Sequence, residues 1–262
     1  MENLLLNYLY QVLSVVAVFY AFGLILWLFN MLFYRMLGAG AYSVCVATGF
    51  LGTPIHELGH AFFCLIFLHK IKEIRLFRPN KQDGVLGYVS HSYNKKNVYQ
   101  QIGNFFIGIG PILFGSAVLF LLMYLLIPST FESVFSSARS ATLDSFFAEL
   151  WETVKTIFSG ENLGDYKWWI FIVLASLITI HMTLSPADVK GSLVGTLYIL
   201  ILLLIVNVAL YFLFPSFQNQ MTNWLINKAV VVASLLSFAV IVAVMVDLIT
   251  FVITMIIKVF KK

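Results

Sequence analysis

Polar positions are sparse along this chain and gather in clusters, leaving long apolar runs between them. Crossing about 30 Å of hydrocarbon takes roughly 20 apolar residues. Six runs reach or approach that length: 9–34, 42–69, 101–128, 168–184, 193–214 and 229–257, the fourth being short. Each predicts a transmembrane helix. After Lys70 the pattern changes to short alternating segments, Ile71, Ile74 and Leu76 in one and Val85, Leu86, Tyr88 and Val89 in the other. Pro79-Asn80 and Asp83-Gly84 supply turn chemistry between them, so a small β-hairpin or sheet is expected. Unpaired backbone cannot face lipid, so such a sheet at membrane depth must lie against protein or water. Its edge can pair with an extended peptide. Beyond Pro128, Leu143, Phe146, Phe147, Leu150, Trp151, Val154, Ile157 and Phe158 recur at intervals of three and four, with Asp144, Glu149, Glu152 and Lys155 opposite. That pattern predicts an amphipathic helix at the outer interface.

The fold class is therefore mainly α, a polytopic membrane protein with about six transmembrane helices and a small cytoplasmic-side β-hairpin or sheet. It divides into an N-terminal transmembrane helix (1–41), a three-helix core (42–192) carrying the β-segment (70–98) and the outer amphipathic helix (140–158), and two C-terminal transmembrane helices (193–262). Composition agrees: 61% of residues are hydrophobic and only 11% charged, against roughly a quarter charged in soluble domains. The first run is too long for a signal-peptide core and no convincing cleavage site follows it, so it reads as a retained helix.

The formal charge of +4 is unevenly spread. Lys70, Lys72, Arg75, Arg78, Lys81, Lys95 and Lys96 face only Glu73 and Asp83 in residues 70–98, whereas 129–167 is acidic. The positive-inside rule puts the basic loop in the cytoplasm. A basic surface there suits anionic headgroups rather than nucleic acid. Six spans then leave both termini cytoplasmic in a multi-pass protein, with the cell membrane as the expected location; Lys258, Lys261 and Lys262 agree, and Arg35 alone dissents. Cys45 and Cys64 lie on one predicted helix, about 28 Å apart by helical rise, and cannot bridge each other. Cys64 falls one turn beyond His60 and reads as packing.

One apolar run carries ionisable groups that need a reason: His56-Glu57-Leu58-Gly59-His60. Residues four apart share a helix face about 6 Å apart, so His56 and His60 can hold one metal ion with Glu57 beside it, as in zinc hydrolases. Chance would place HExxH in such a composition only about 0.003 times. His60 lies about 14 Å from the cytoplasmic end of its run, below the membrane surface, and Thr53-Pro54 predicts a local opening just before the motif. In the next span Gly103, Gly108, Gly110-Pro111 and Gly115 allow close helix approach.

A catalytic zinc ordinarily takes three protein ligands. Candidates for the third are Asp188, His181, Asp247 and the outer acids Glu149 and Glu152. Asp188 follows the short fourth span, and Pro186 lets the chain turn in at the side where the HExxH helix emerges. Asp188 is favoured on that topology, which puts Glu149 and Glu152 on the opposite face. His181 can be a ligand, or can donate a hydrogen bond to a ligand or to substrate backbone. Asp247 lies mid-span and must have a partner, with a helix-to-helix hydrogen bond expected ahead of metal ligation.

With these residues the chain resembles the site-two protease family of intramembrane zinc metalloproteases. The resemblance rests on His56 to His60 with Ala61, on Gly110-Pro111 in the next helix, and on an Asp followed by Gly at the cytoplasmic end of the helix after that. It covers about residues 42–192, the family's three-helix core with its membrane-associated β-segment. It implies zinc, Glu57 as general base and Asp188 as third ligand. Val189 and Lys190 separate Asp188 from Gly191 where the family has Asp-Gly contiguous, and Phe114 stands near where the family carries an Asn. The family's Asn-Pro elements are reduced to His181 and Pro186.

The expected activity is peptide-bond hydrolysis by an intramembrane zinc metalloendopeptidase, its partners being membrane proteins or hydrophobic peptides and the lipid bilayer, and no nucleic acid. A different class is a proteolytically inactive metal-binding membrane protein that partners or chaperones other membrane proteins; the intact Glu57 argues against it, because zinc binding alone does not need that carboxylate. A transporter or channel subunit would draw on Asp247 and His181, but the chain shows no convincing inverted repeat of broken helices.

Overall fold

The computed structural model describes residues 2–82 and 84–260, so Asp83 of the expected Asp83-Gly84 turn and the terminal Lys261 and Lys262 lie outside the described residues. The chain is mostly helical, with one two-stranded sheet among the described residues. Among the described residues, four helical stretches are long and apolar enough to cross a membrane: Asn3–Ile66, Val98–Leu126, Pro186–Leu213 and Pro215–Phe260.

The first stretch comprises α1 (Glu2–Val12), a π-helical turn (Leu13–Ala17), α2 (Val18–Leu37), a 3-10 turn (Gly38–Gly40) and α3 (Ala41–Ile66). Gly38 breaks it with φ 54°, a left-handed backbone that glycine adopts without a Cβ penalty. After α3 come β1 (Lys70–Arg75) and β2 (Tyr88–Ser92), then α4 (Val98–Leu126), α5 (Pro128–Ser140), α6 (Phe146–Ile157), α7 (Gly160–Gly164), α8 (Tyr166–Thr179), α9 (Pro186–Leu213) and α10 (Pro215–Phe260).

Three boundaries differ from the sequence expectation in ways that bear on the site. The run at 168–184 yields a helix ending at Thr179, roughly 21 Å long at helical rise, because residues 180–185 leave the helix before Pro186. The next helix starts at Pro186 rather than 193, with Pro at its first turn and Ser185 as cap, so a division at 192 falls inside α9. The last run is part of a 46-residue helix from Pro215. The amphipathic segment forms α6 as expected, but its apolar face, through Leu150 and Val154, lines an apolar cavity of about 750 Å³ shared with Phe22 and Val240. Phe147 and Trp151 point outward.

Lipid is as apolar as leucine, so helices in a membrane gain from close packing more than from burial. Glycines provide it here. The central helix α4 lies between α3 and α9. A Cβ on Gly59 of α3 would stand 2.8 Å from the Gly110 carbonyl oxygen, and one on Gly110 2.7 Å from that of Gly59. On the other flank Gly108 meets Ser192 and Gly195 meets the Phe105 backbone. Phe105, Ile109, Ile112, Leu119, Phe171 and Phe238 fill the interior.

The strands pair antiparallel, Lys70 opposite Ser92 and Arg75 opposite Tyr88, with a bulge between Ile71 and Glu73. Their connection does not project away. Arg78 N–H donates to Leu86 O (2.5 Å) and Asn80 N–H to Val85 O (3.0 Å), folding the loop back along α3. Leu86 is buried and its methyl lies where a Cβ on Gly49 would be, 2.8 Å away. The loop thus rests on protein about two turns before His56.

Candidate metal centre

His56 and His60, one turn apart on α3, and Asp188, in the first turn of α9, turn their donor atoms to a common point. The two Nε2 atoms are 3.2 Å apart. His60 Nε2 lies 3.1 Å from Asp188 Oδ1, and His56 Nε2 3.8 Å from Asp188 Oδ2. Two nitrogens on a tetrahedral zinc sit roughly 3.3 Å apart, given bonds of about 2.0–2.1 Å. The spacing fits.

The other ring nitrogens fix which lone pairs are free. His56 Nδ1 donates to the His181 carbonyl at 2.8 Å and His60 Nδ1 to that of Ile107 at 2.7 Å. A carbonyl only accepts, so each neutral ring carries its proton on Nδ1 and presents a lone pair at Nε2. Two lone pairs facing at 3.2 Å repel each other, and a shared cation removes that repulsion. Such carbonyl partners are what orient metal-binding imidazoles. A metal ion therefore fits the residues present.

Each partner has a sequence cause. Pro111, inside α4, has no N–H to give the carbonyl four residues back; that carbonyl is Ile107, which His60 takes. The His181 carbonyl is free because α8 has ended at Thr179. Asp188 is placed by a reciprocal cap, Ser185 N–H donating to Asp188 Oδ2 (2.8 Å) and Asp188 N–H to Ser185 Oγ (3.1 Å). One carboxylate oxygen is held by the cap while the other faces His60.

Glu57 is buried beside the triad but is not one of its donors. Among the described residues no group hydrogen-bonds its carboxylate. Gly87 of the loop presses on it, a Cβ there lying 3.0 Å from Glu57 Cγ and 2.7 Å from the Arg75 carbonyl oxygen. Glu57, the triad and residues 84–89 line a cavity of about 600 Å³, with Asn104 of α4 on its wall.

The remaining candidates separate from the triad. The His181 ring turns to Thr48, its Nε2 2.9 Å from Thr48 Oγ1, so its backbone carbonyl, not its imidazole, serves the site. Gly52 makes room for it, since a Cβ would stand 2.6 Å from His181 Cδ2. Asp247 lies on α10 beside a small cavity lined by Asn30 and Thr179. The helix-to-helix hydrogen bond expected of it is missing at Oδ2, which has no hydrogen-bond partner among the described residues. Glu149 accepts from Ser137 (2.7 Å) and Glu152 pairs with Lys155 (2.6 Å), so both outer acids are engaged away from the histidines. Gly191 needs no special backbone or space, a Cβ there meeting nothing within 4 Å.

Sequence reasoning missed Ile107 and Ser185. Ile107 contributes only backbone and left no side-chain signal, though Pro111 four residues on marks its carbonyl. Ser185 was legible, because Ser-Pro-x-Asp is a capping pattern with proline at the first helical position. Comparison with family models, with curated proteins and with solved structures finds no match to this chain.

Proposed function

We propose that the chain is an intramembrane zinc metalloendopeptidase acting on membrane-embedded or membrane-associated substrates. The observation that carries the reading is the Glu57 carboxylate, which lines a cavity walled by a β-loop next to three converging metal donors and has no hydrogen-bond partner among the described residues. His56, His60 and Asp188 would hold zinc, which when bound would supply Lewis acidity to polarise a carbonyl and make water more acidic. Glu57 takes the proton from water and passes it to the leaving amine. The Ile107 and His181 carbonyls keep both imidazoles in register. Substrate must leave its helix before cleavage, and Tyr88, Val89 and His91 of β2 line the cavity where an extended segment can pair and regain backbone hydrogen bonds.

The reading includes six crossings. The 64-residue stretch Asn3–Ile66 would span roughly 96 Å if straight, so we count two crossings there, turning at Gly38, and one each for α4, α8 with its following loop, α9 and α10. The exposed Lys70, Lys72, Arg75 and Arg78 past the end of α3 favour a cytoplasmic sheet and cytoplasmic termini.

The test uses the purified full chain in detergent with a single-span reporter substrate. Glu57→Gln should retain zinc while cleavage falls by a factor of about 10²–10⁴, the range for loss of a general base; retained cleavage would sink the assignment. Asp188→Ala should lower bound zinc, and unchanged zinc would overturn the ligand set. Zinc without cleavage in the unsubstituted chain would favour the metal-binding partner instead.

A further inference from the structure

Beyond the triad, a second set of soft donors meets where α3 ends. Cys64 is fully buried in the last turn of α3, one helical turn or about 6 Å beyond His60. Among the described residues its thiol has no hydrogen-bond partner. His69 arrives beside it by an unusual route. Leu68 holds φ 57° and is the only non-glycine residue at positive φ among those described, and His69 N–H closes back on the Cys64 carbonyl at 2.8 Å. A left-handed leucine is strained by its Cβ, and such strain persists only where the surroundings impose it.

His91, on β2, completes the set. His69 Nδ1 and His91 Nδ1 are 3.0 Å apart, and Cys64 Sγ and a nitrogen of each ring all lie within 4.8 Å of one another. His69 is held in place. Its Nε2 donates to the Gln100 carbonyl (2.8 Å) and Tyr93 stacks on its ring at 4.8 Å and 19°. Gly103 leaves the room, since a Cβ there would stand 3.1 Å from His69 Nε2. With Nε2–H donated, His69 Nδ1 carries a lone pair directed at the other two donors.

We infer that Cys64, His69 and His91 form a second, thiolate-containing zinc site that ties strand β2 to the end of α3. A thiolate with two imidazoles suits zinc among common divalent cations. The Cys64 thiol gives up its proton on binding, and the thiolate offsets half the ion's charge. The consequence is mechanical: His91 also lines the 600 Å³ cavity, so the second ion fixes the strand that forms its wall. The inference stands whether or not the chain is a peptidase.

The two sites differ in one readable way, because only the second contains sulfur. Purified full chain, stripped and reloaded with Co²⁺, should show thiolate-to-cobalt charge-transfer absorption in the near ultraviolet. The band should persist in His56→Ala/His60→Ala and vanish in Cys64→Ser and in His91→Gln. Reloaded with Zn²⁺ and desalted, the unsubstituted chain should hold about two ions, and either second-site variant about one. His91→Gln changes a half-buried strand residue outside the helices, so it answers even if Cys64→Ser fails to fold. Absence of the band in the unsubstituted chain, or its survival in both variants, overturns the second site and leaves His69 and His91 as a hydrogen-bonded pair. Failure of the peptidase reading shows separately, as cleavage that survives Glu57→Gln.

Discussion

Gly59 sits inside the HExxH motif at a position that touches no metal, and Gly59→Ala tests whether the metal site depends on how closely α3 approaches α4. The added Cβ would meet the Gly110 carbonyl oxygen at 2.8 Å and Pro111 Cα at 2.9 Å. Both are backbone atoms that cannot rotate away. Ordinary contact begins at 3.4 Å, so the helices must part by roughly 0.5–1 Å. The His60 Nδ1 to Ile107 oxygen bond crosses the same gap at 2.7 Å; stretched by that amount it reaches about 3.2–3.7 Å, at or past the limit of a useful hydrogen bond. Losing an outer partner of a metal-bound histidine typically costs 10–100-fold in metal affinity, and overpacking costs about 1–3 kcal/mol. Gly59→Ala should therefore bind zinc about 10-fold or more weaker in a chelator competition and melt earlier in detergent. Zinc affinity within twofold of the parent, with unchanged melting, would refute the close-approach argument.

Pro111→Ala returns an N–H to the helix, where it competes with His60 for the Ile107 carbonyl; sharing should cost about 0.5–1 kcal/mol of hydrogen bonding, seen as roughly 2–5-fold weaker zinc binding without loss of helix content by circular dichroism. His181→Ala keeps the backbone carbonyl that holds His56, so zinc content should match the parent; loss of zinc would return the imidazole to the ligand set. Gly87→Ala crowds Glu57 but not the three donors, so on the proposed peptidase reading the turnover of a reporter peptide should fall several-fold while bound zinc stays constant, and a parallel loss of zinc would contradict the separation of Glu57 from the ligands.

The membrane class and the HExxH pair follow from local rules. Hydrophobic run length is set by bilayer thickness, and a four-residue spacing places two imidazoles together on any helix. Position 188 was reachable too, because Pro186 and the short fourth run bring the chain back to the correct side. The structure added that Asp188 is a helix-cap residue, with one oxygen tied to Ser185 and the other free for His60.

What only the tertiary structure decided are contacts between residues far apart in sequence or made by backbone. The Ile107 and His181 carbonyls bear no side-chain pattern, so their service to His60 and His56 appears only once α4 and the end of α8 are packed on α3. Cys64 reads as packing on its own helix; it becomes a donor set only when a left-handed Leu68 and a returning strand bring His69 and His91 to it. Run length and helical spacing act over a few turns and are written in order along the chain. The shape of the site depends on which surfaces meet, and that is set by where glycines let backbones touch.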